Sequence, residues 1–591
     1  MLQMPSRLHF RAFLALLVLL ACLLLPGLGS VSLTDWDENA YSEASKQMLR
    51  TGNFLEVIIN GQPLGEKPPL FFWLQALSFW GLGISEFSAR LPSVVVAVVM
   101  LGFCYGYGRW LVSGSVGLLW AGLFLTALLP SIHARSAVME HAFNAFIGMG
   151  ALLLLRYDWE QQNPSDAASG PSKTSRPIFW LMLASACLGL AVLTKSPVGG
   201  LIPLVAFGSS RIGLRNWRVP WLHFVFCAGL SLLVALSWYF ANAVVQGVDF
   251  VWDQVLWQWK MTMRPMEGHD GPWYYHWGVA VVGLMPWTPL LLLDWRLLKN
   301  DASRIRPLLW FCWGWVLFVL VLFTVARTKL PHHSSSIYLP LTLLLAILVE
   351  RHLASGTPFP RRVPIVLALL GGALTVFFVG LPHAAQRYVE GLIPGYQLEW
   401  PLAIYWVGAV LGGLFLLGAG LFWRQRGIPA LVALAGAMVV WTHGLWQLQV
   451  PLFTGFVQAP VVSLVRDAHA RNRPVVLYRT LSFAALFYGD RPVPMVHVKF
   501  PYGLPDLLDH VREQEVAVVT ERKHEAALRQ EHPLVRFVRH EGNYALYRIP
   551  PQSERAFTTE AQSTGESSTR ADEPPGPFGT SGAAPTSTAG E

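Results

Sequence analysis

The feature that most constrains the fold is a succession of long apolar segments. A bilayer is crossed by roughly 17 to 25 apolar residues in a helix, and about thirteen runs approach or reach that length. They lie near 12–33, 89–109, 115–132, 138–156, 178–195, 197–211, 220–244, 277–295, 307–326, 335–350, 363–382, 402–423 and 429–448. Only 14% of the residues are charged, whereas a soluble domain carries about 25%. The sequence therefore predicts an all-α polytopic membrane bundle of about 13 transmembrane helices.

The placement of basic residues predicts the orientation of these helices, because cytoplasmic loops carry an excess of Lys and Arg. If the N-terminus is cytoplasmic, alternate loops on that side hold Arg109; Arg156, Lys173 and Arg176; Arg211, Arg215 and Arg218; Arg296, Lys299, Arg304 and Arg306; Arg351, Arg361 and Arg362; Arg424 and Arg426. The net charge of +8 then reflects topology and indicates no nucleic-acid partner. Residues 1–30 also resemble a signal peptide, but its cleavage would spoil the parity of the spans.

Three regions are predicted to lie outside the transmembrane helices. The first belongs to the predicted transmembrane domain, 1–450, and the other two follow that domain. The first is a long outer loop, about 34–88. The second, 451–552, alternates β-rich and helical runs and predicts a small extracytoplasmic α/β domain, with a hairpin around Glu541-Gly542-Asn543. Its β-rich runs are Val475–Tyr478, Val516–Thr520, Val535–Arg539 and Tyr544–Ile549, and its helical stretches lie near 481–488 and 521–530. The tail 553–591 is rich in Ser, Thr, Gly, Pro and Glu and is predicted to be disordered.

Basic residues on the outer side contradict the orientation bias and need another explanation. They are Lys67, Arg90, Arg135, Lys195, Lys260, Arg264, Arg327, Lys329 and Arg387, most of them near a predicted helix end. Each one alone is explained by contact with lipid headgroups. Several cations at one membrane interface are also what a phosphate or pyrophosphate group requires.

The first outer loop carries two carboxylates directly after the first span. Thr34 and Asp37 fit a helix-capping pattern, and the stretch to Arg50 has apolar residues at helical spacing, which predicts a helix along the membrane surface. Capping is the simple explanation for Asp37. However, Asp37 and Glu38 stand where water meets the headgroups, a position that suits a general base acting on an acceptor hydroxyl.

A set of motifs resembles a known family of membrane glycosyltransferases. The motifs are Asp37-Glu38-x-x-Tyr41, Glu66-Lys67-Pro68-Pro69, Arg90-Leu91-Pro92-Ser93, Thr194-Lys195-Ser196-Pro197-Val198-Gly199, Gly271-Pro272-Trp273-Tyr274-Tyr275, Gly283-Leu284-Met285-Pro286-Trp287, Lys329-Leu330-Pro331 and Tyr338-Leu339-Pro340. Together they resemble the GT-C enzymes related to aminoarabinose transferases and protein O-mannosyltransferases, and they cover about residues 30–345. The rest of the chain is similar in architecture only.

The resemblance implies inverting transfer of a sugar from a polyprenyl-phosphate donor, of the undecaprenyl type, to an envelope acceptor on the outer face of a bacterial inner membrane. It also implies roles at matching positions. Asp37, with Glu38, resembles the catalytic carboxylates, and Lys67, Arg264 and Tyr338 resemble residues that contact the donor phosphate, near Arg327 and Lys329. The sequence departs from the aminoarabinose transferases at Ala40, where Arg is typical, and at Leu64, where Tyr is typical. These departures leave the sugar open, and the acceptor as well: lipid, glycan or protein.

Further site candidates are Tyr41, Glu66, Glu140 and His269. Glu140 stands at the outer start of a predicted span, where an interfacial pair with His141 explains it equally well. No cofactor is required, although Glu66 and His443 could hold a divalent metal if the fold brings them together. His332 and His333 are adjacent and would point in different directions on a strand, so a shared metal site is not expected there.

Two other functions compete with a transferase. A transporter or flippase places ionisable groups or broken helices near the bilayer midplane, whereas the polar motifs here lie at the outer ends of nearly charge-free spans. A ligase that joins preassembled lipid-linked glycans would use the same face and donor type, without the motifs of the long first loop. The expected partners of the transferase are the lipid-linked donor, the acceptor and membrane lipids.

Overall fold

A computed structural model describes residues 6–64, 67–163, 177–217, 220–263, 269–298, 305–496, 503–504 and 514–551. The long apolar runs of these parts form α-helices. The helices are Ser6–Leu24, Asp37–Thr51, Leu70–Leu82, Glu86–Leu111, Gly114–Leu125, Leu128–Arg135, Glu140–Gln162, Pro177–Thr194, Val198–Leu214, Trp221–Gln246, Asp249–Met263, Tyr275–Gly283, Ile305–Val325, Tyr338–Ser355, Arg362–Leu392, Ala403–Trp423, Gly427–Gly444, Val450–Val457, Ala459–Ala470, Phe483–Gly489 and Glu525–Glu531. The disordered tail predicted from 553 and the boundary at 552 lie outside the described residues.

Most predicted spans correspond to helices with the required length and composition. Within the described residues, nine helices are long and apolar enough to cross a membrane, or ten if the bent pair Gly114–Leu125 and Leu128–Arg135 is one span. The predicted runs 138–156 and 197–211 correspond to Glu140–Gln162, which does not meet this criterion, and to the shorter Val198–Leu214. The polytopic membrane class is confirmed, while the number of thirteen spans and the orientation remain predictions.

Two predicted spans differ from the structure. The run 277–295 is not one helix, because Tyr275–Gly283 ends at a glycine and short 3₁₀ turns follow at Thr288–Leu292 and Trp295–Leu298. Prolines at 286 and 289 explain the break, since proline has no N–H for a helical hydrogen bond. The first helix ends at Leu24, so apolar composition alone placed its end too far along the chain.

The C-terminal region contains the predicted α/β unit. A two-stranded ribbon, β1 (Ile58–Ile59) and β2 (Gln62–Pro63), belongs to the first loop. The second sheet has the order β5-β4-β3-β6-β8-β7, and its strands are β3 (Val475–Tyr478), β4 (Met495–Val496), β5 (Gly503–Leu504), β6 (Val516–Glu521), β7 (Arg536–Glu541) and β8 (Tyr544–Ile549). Strands β3 to β6 pair in parallel, and β7 and β8 form the predicted antiparallel hairpin.

One short helix of the C-terminal unit, Phe483–Gly489, which we call the docking helix, packs against the first long loop and the helix within it. The Lys46 ammonium donates to the carbonyl oxygens of Leu486 at 3.3 Å and Phe487 at 2.7 Å. Lys46 is almost completely buried and also pairs with Glu43 at 2.7 Å, so the two hydrogen bonds and this ion pair together satisfy its charge. The two regions far apart in sequence therefore form one interface beside the loop that carries the predicted site.

Candidate active site

The helix Asp37–Thr51, which we call the site helix, begins at the predicted catalytic carboxylate. Its N-cap is Trp36, and no side chain caps the helix. The predicted capping by Thr34 is wrong, because the backbone N–H and the hydroxyl of Thr34 both donate to the Glu38 carboxylate at 2.9 Å. The predicted helix itself is confirmed, and its apolar positions Ala40, Ala44 and Met48 are buried. Asp37 is thus free of a capping role.

Glu38 forms a buried ion pair with Arg90. The guanidinium Nε and Nη2 donate to the two carboxylate oxygens at 2.9 and 3.0 Å, and the Ala137 N–H donates to the same group at 2.7 Å. Burial would raise the pKa of Glu38, but the charge and hydrogen bonds of Arg90 outweigh it, and the pKa is lowered. Glu38 thus belongs to a structural ion pair in which both oxygens already accept hydrogen bonds, and its catalytic role stays a prediction.

Asp37 instead lies with groups from three other segments. Its carboxylate, that of Glu140 and the His332 ring each offer one ligand atom, all within 4.8 Å of one another. The Lys195 ammonium contacts Glu140 Oε1 at 2.7 Å, and His332 Nε2 lies 3.7 Å from the same oxygen. Asp37 and Glu140 are both the first residues of helices, where the helix dipole stabilises negative charge.

The electrostatic environment makes Asp37 a stronger base than a free aspartate. The pKa of Asp37 is raised by burial first and by the negative charge of Glu140 second. The charges of Lys67 and Lys195 and a hydrogen bond from Tyr41 oppose this rise without cancelling it. A carboxylate with a raised pKa that still reaches solvent suits general-base catalysis near neutral pH.

The pH dependence of the rate should follow these charges. As a base Asp37 must be ionised, so the rate should fall as pH drops through its raised pKa. Glu140→Gln removes a neighbouring negative charge and should move this acidic limb to lower pH, whereas Lys195→Met removes a positive charge and should move it to higher pH. The measurement is the pH profile of kcat/KM for each variant.

Asp490→Asn provides the control, because Asp490 is exposed and pairs with Arg50 outside the site. This variant should keep the wild-type limb. If the limbs of all variants coincide with that of the wild type, the group that titrates is not Asp37.

The cluster Asp37, Glu140 and His332 could also hold a divalent ion, since two carboxylates and an imidazole are suitable ligands. Within the part of the chain that the structure describes, Glu140 Oε2 is buried without a hydrogen-bond partner. The sequence did not predict this group, and Glu66, one member of the metal pair that it did suggest, lies outside the described residues. Its partner His443 is half-buried in the helix Gly427–Gly444.

The phosphate-binding candidates occupy different environments. Lys67 is partly exposed and acts electrostatically on Asp37, and Arg327 is exposed. Lys329 is buried and donates to the carbonyls of Phe323, Thr324 and Ala326 at 2.7 to 2.8 Å, so it closes the C-terminal end of a helix.

Tyr338 is fully buried, and its hydroxyl donates to the Val279 carbonyl at 2.7 Å. These hydrogen bonds give Lys329 and Tyr338 structural roles, and phosphate binding by the two residues stays a prediction. Arg264 lies outside the described residues. His269 is exposed, and its ring lies beside that of Trp36.

Lys195 and His332 were not among the predicted site residues. Lys195 follows the end of the helix Pro177–Thr194 in the Thr-Lys-Ser-Pro motif, and this outer-side lysine beside a proline was the available signal. For His332 the sequence predicts no shared site with His333, because adjacent side chains diverge on a strand. The structure has a 3₁₀ turn at Pro331–Ile337 instead, and this turn brings His332 to Glu140.

Comparison with known proteins shows which family the chain resembles. Residues 9–252 match the family profile Dolichyl-phosphate-mannose-protein mannosyltransferase. The undecaprenyl phosphate-alpha-4-amino-4-deoxy-L-arabinose arabinosyl transferase of Edwardsiella ictaluri is 25% identical over 413 residues, which are 66% of this chain and 69% of that protein. An uncharacterized protein of Aquifex aeolicus is 30% identical over 325 residues, 54% of this chain and 69% of that protein. The chain thus spans about two thirds of the length of these relatives.

The fold also matches a solved structure. The crystal structure of ArnT from Cupriavidus metallidurans bound to undecaprenyl phosphate superposes with a TM-score of 0.74 at 17% identity, covering 93% of this chain and 99% of that one. The architecture and these relatives define a membrane-embedded glycosyltransferase. The chain belongs to the GT-C family of the aminoarabinose transferases and protein O-mannosyltransferases, as its sequence motifs predicted.

Proposed function

We propose that this protein transfers a sugar from a polyprenyl-phosphate donor, of the undecaprenyl type, to an envelope acceptor on the outer face of the bacterial inner membrane. The observation that carries the proposal is the meeting of Asp37 with the charges of Lys67 and Lys195 at helix ends. The Edwardsiella ictaluri relative is an undecaprenyl phosphate-alpha-4-amino-4-deoxy-L-arabinose arabinosyl transferase, and the similar ArnT structure holds undecaprenyl phosphate.

In the proposed step, Asp37 takes the proton of an acceptor hydroxyl while that oxygen forms a bond to the anomeric carbon. The bond between this carbon and the phosphate oxygen breaks, and the electron pair leaves with polyprenyl phosphate. Attack from the face opposite the leaving group inverts the anomeric configuration. Lys67 stabilises the growing negative charge of the phosphate, and Arg264 and Arg327 are proposed to assist. Lys195 holds Glu140 in place beside the base.

Lys67 and Lys195 supply the positive charge at the site, so the proposed step requires no metal ion. A divalent ion at Asp37, Glu140 and His332 would compete for the carboxylate that acts as base. Dialysis of the purified enzyme against a chelator should leave its rate unchanged, and a loss that added Mn²⁺ or Zn²⁺ restores would show that the ion is part of the site.

Removing the Lys67 ammonium should slow transfer by about a hundredfold, because one contact to the developing charge contributes about 3 kcal/mol to the barrier. The measurement is release of polyprenyl phosphate by purified Lys67→Ala in nanodiscs. Lys523→Ala is the matched control, because Lys523 is exposed on the C-terminal unit and pairs with Glu521. Equal rates for the two variants would remove Lys67 from the site.

Mass spectrometry of envelope lipids and glycans from cells with and without the protein would identify the donor and the acceptor. The proposal predicts that one glycosylated polyprenyl phosphate accumulates when the protein is missing and that one envelope component loses a sugar. A second experiment, with purified protein, separates a transferase from a transporter or flippase. When donor and acceptor are supplied on the same side of the membrane, a transferase adds a sugar to the acceptor, whereas a transporter or flippase leaves the acceptor unchanged.

A further inference from the structure

Trp36, the residue before Asp37, has a backbone conformation that is rare for a bulky side chain. Its dihedral angles are φ 71° and ψ −120°. These values belong to the first central position of a type II′ turn, which glycine normally occupies because a Cβ is disfavoured there. Such strain persists only where the surrounding structure fixes it, and it concentrates at functional sites.

The residues on both sides of Trp36 hold this conformation. Asp35 Oδ2 accepts a hydrogen bond from the Ser482 hydroxyl at 3.0 Å, and its Oδ1 accepts from the Ala484 N–H at 3.0 Å. The Trp36 carbonyl accepts from the Ala40 N–H at 2.8 Å as the site helix begins. The docking helix therefore holds one end of the strained residue and the site helix the other.

The indole ring is fixed in direction but not covered. Its centroid lies 6.2 Å from that of Phe483 and 6.3 Å from that of His269, both in edge-to-face geometry. Nevertheless 48% of Trp36 is exposed. Three separate segments of the chain thus hold a large aromatic surface open to solvent beside the proposed catalytic base.

On the basis of the proposed function, we infer that Trp36 forms the wall of an acceptor subsite that takes a sugar ring. The C–H face of a sugar is apolar and stacks on an aromatic ring, while its hydroxyls need polar partners at the edge of that ring. His269, whose ring contacts Trp36, and the adjacent Asp270 are both exposed and offer such polar partners. An acyl chain would instead be matched by a continuous apolar surface. A sugar stacked on Trp36 presents a hydroxyl to the next residue in the chain, Asp37.

Two variants separate recognition from structure. Trp36→Gly removes the ring and relieves the backbone strain, so it should melt at a higher temperature than the wild type while sugar affinity falls by roughly tenfold. Trp36→Phe keeps an aromatic face and should retain most of the affinity. If the ring serves only as a contact between His269 and Phe483, Trp36→Gly should melt at a lower temperature than the wild type and bind sugar equally well. That result would overturn the inference.

Binding is measured by saturation-transfer NMR on the full-length protein in nanodiscs. The probes are methyl glycosides of glucosamine, glucose and mannose, a Ser/Thr-rich peptide and a short-chain phosphatidylglycerol. At least one glycoside should receive saturation on its ring protons in the wild type and in Trp36→Phe, and lose it in Trp36→Gly. Saturation of the peptide or the lipid alone, in a manner dependent on Trp36, would show that the subsite takes another class of acceptor.

Native mass spectrometry of the same samples measures undecaprenyl phosphate binding. This measurement distinguishes a failure of the acceptor subsite from a failure of the proposed function. Trp36→Gly should bind this lipid like the wild type, and Lys67→Ala should bind it more weakly. If Lys67→Ala binds it as well as the wild type, the proposed function fails. If only the glycoside result is negative, the acceptor subsite fails and the proposed function stands.

Discussion

Asp37→Asn should lower the rate of sugar transfer by about 10²–10⁴-fold, the range expected when a positioned general base is removed. An amide cannot accept the proton of the acceptor hydroxyl. The fold should tolerate the change, because burial already disfavours the charged form of Asp37 and raises its pKa, and asparagine has nearly the same shape without the charge. Donor binding should remain, since Lys67 and Lys195 are unchanged.

The measurement is single-turnover transfer by purified protein in nanodiscs, with melting temperature recorded on the same samples. Asp490→Asn makes the same chemical change at an exposed carboxylate and should transfer at the wild-type rate. Full activity of Asp37→Asn would remove this residue from the chemistry. A variant that has lost both its folded state and its activity would show that Asp37 is structural.

Arg90→Met should lower the free energy of unfolding by about 3–5 kcal/mol, the effect of leaving one partner of a buried ion pair without the other. Arg90 is fully buried, and besides Glu38 it bonds to the carbonyls of Leu28 and Val31 at 2.9 and 2.6 Å. Its loss would leave the Glu38 carboxylate desolvated next to the start of the site helix. Activity should fall with stability, because that helix begins at Asp37.

Thermal melting in nanodiscs checks this prediction. Arg50→Met is the control, because the pair of Arg50 and Asp490 is exposed and such pairs contribute about 0–1 kcal/mol. The double variant Arg90→Met with Glu38→Met should be more stable than Arg90→Met, since an apolar pair leaves no buried charge. Equal melting of Arg90→Met and Arg50→Met would contradict the structural role assigned to Glu38 and Arg90.

Local patterns in the sequence predicted much of the fold. Apolar runs identified most of the long helices, and β8 at Tyr544–Ile549 has the bounds that alternation and turn chemistry indicated. The exceptions depend on single residues. Prolines interrupt the run at 277–295, and Trp36 replaces Thr34 at the start of the site helix. A hydropathy window averages over such residues and does not register them.

The sequence predicted only those parts of the site whose residues stand close together in the chain. Asp37 and Lys67 share one loop, so their motif could be recognised. The pairing of Glu140 with Lys195, 55 positions apart, depends on how helices pack. Glu38 illustrates the same limit: it stands next to Asp37 in sequence, but successive helical residues point in different directions, and the partner that decides its role, Arg90, lies on another helix.

In the proposed function, a lipid phosphate binds where Asp37, Lys67 and Lys195 meet at the outer ends of the helices. The most direct test is a cryo-electron microscopy structure of the full-length protein in nanodiscs with undecaprenyl phosphate. We expect phosphate density about 3 Å from the Lys67 ammonium, beside Asp37 and on the side of the membrane that carries the C-terminal unit. Density for the phosphate at the opposite face, near Arg296 and Arg362, would contradict it.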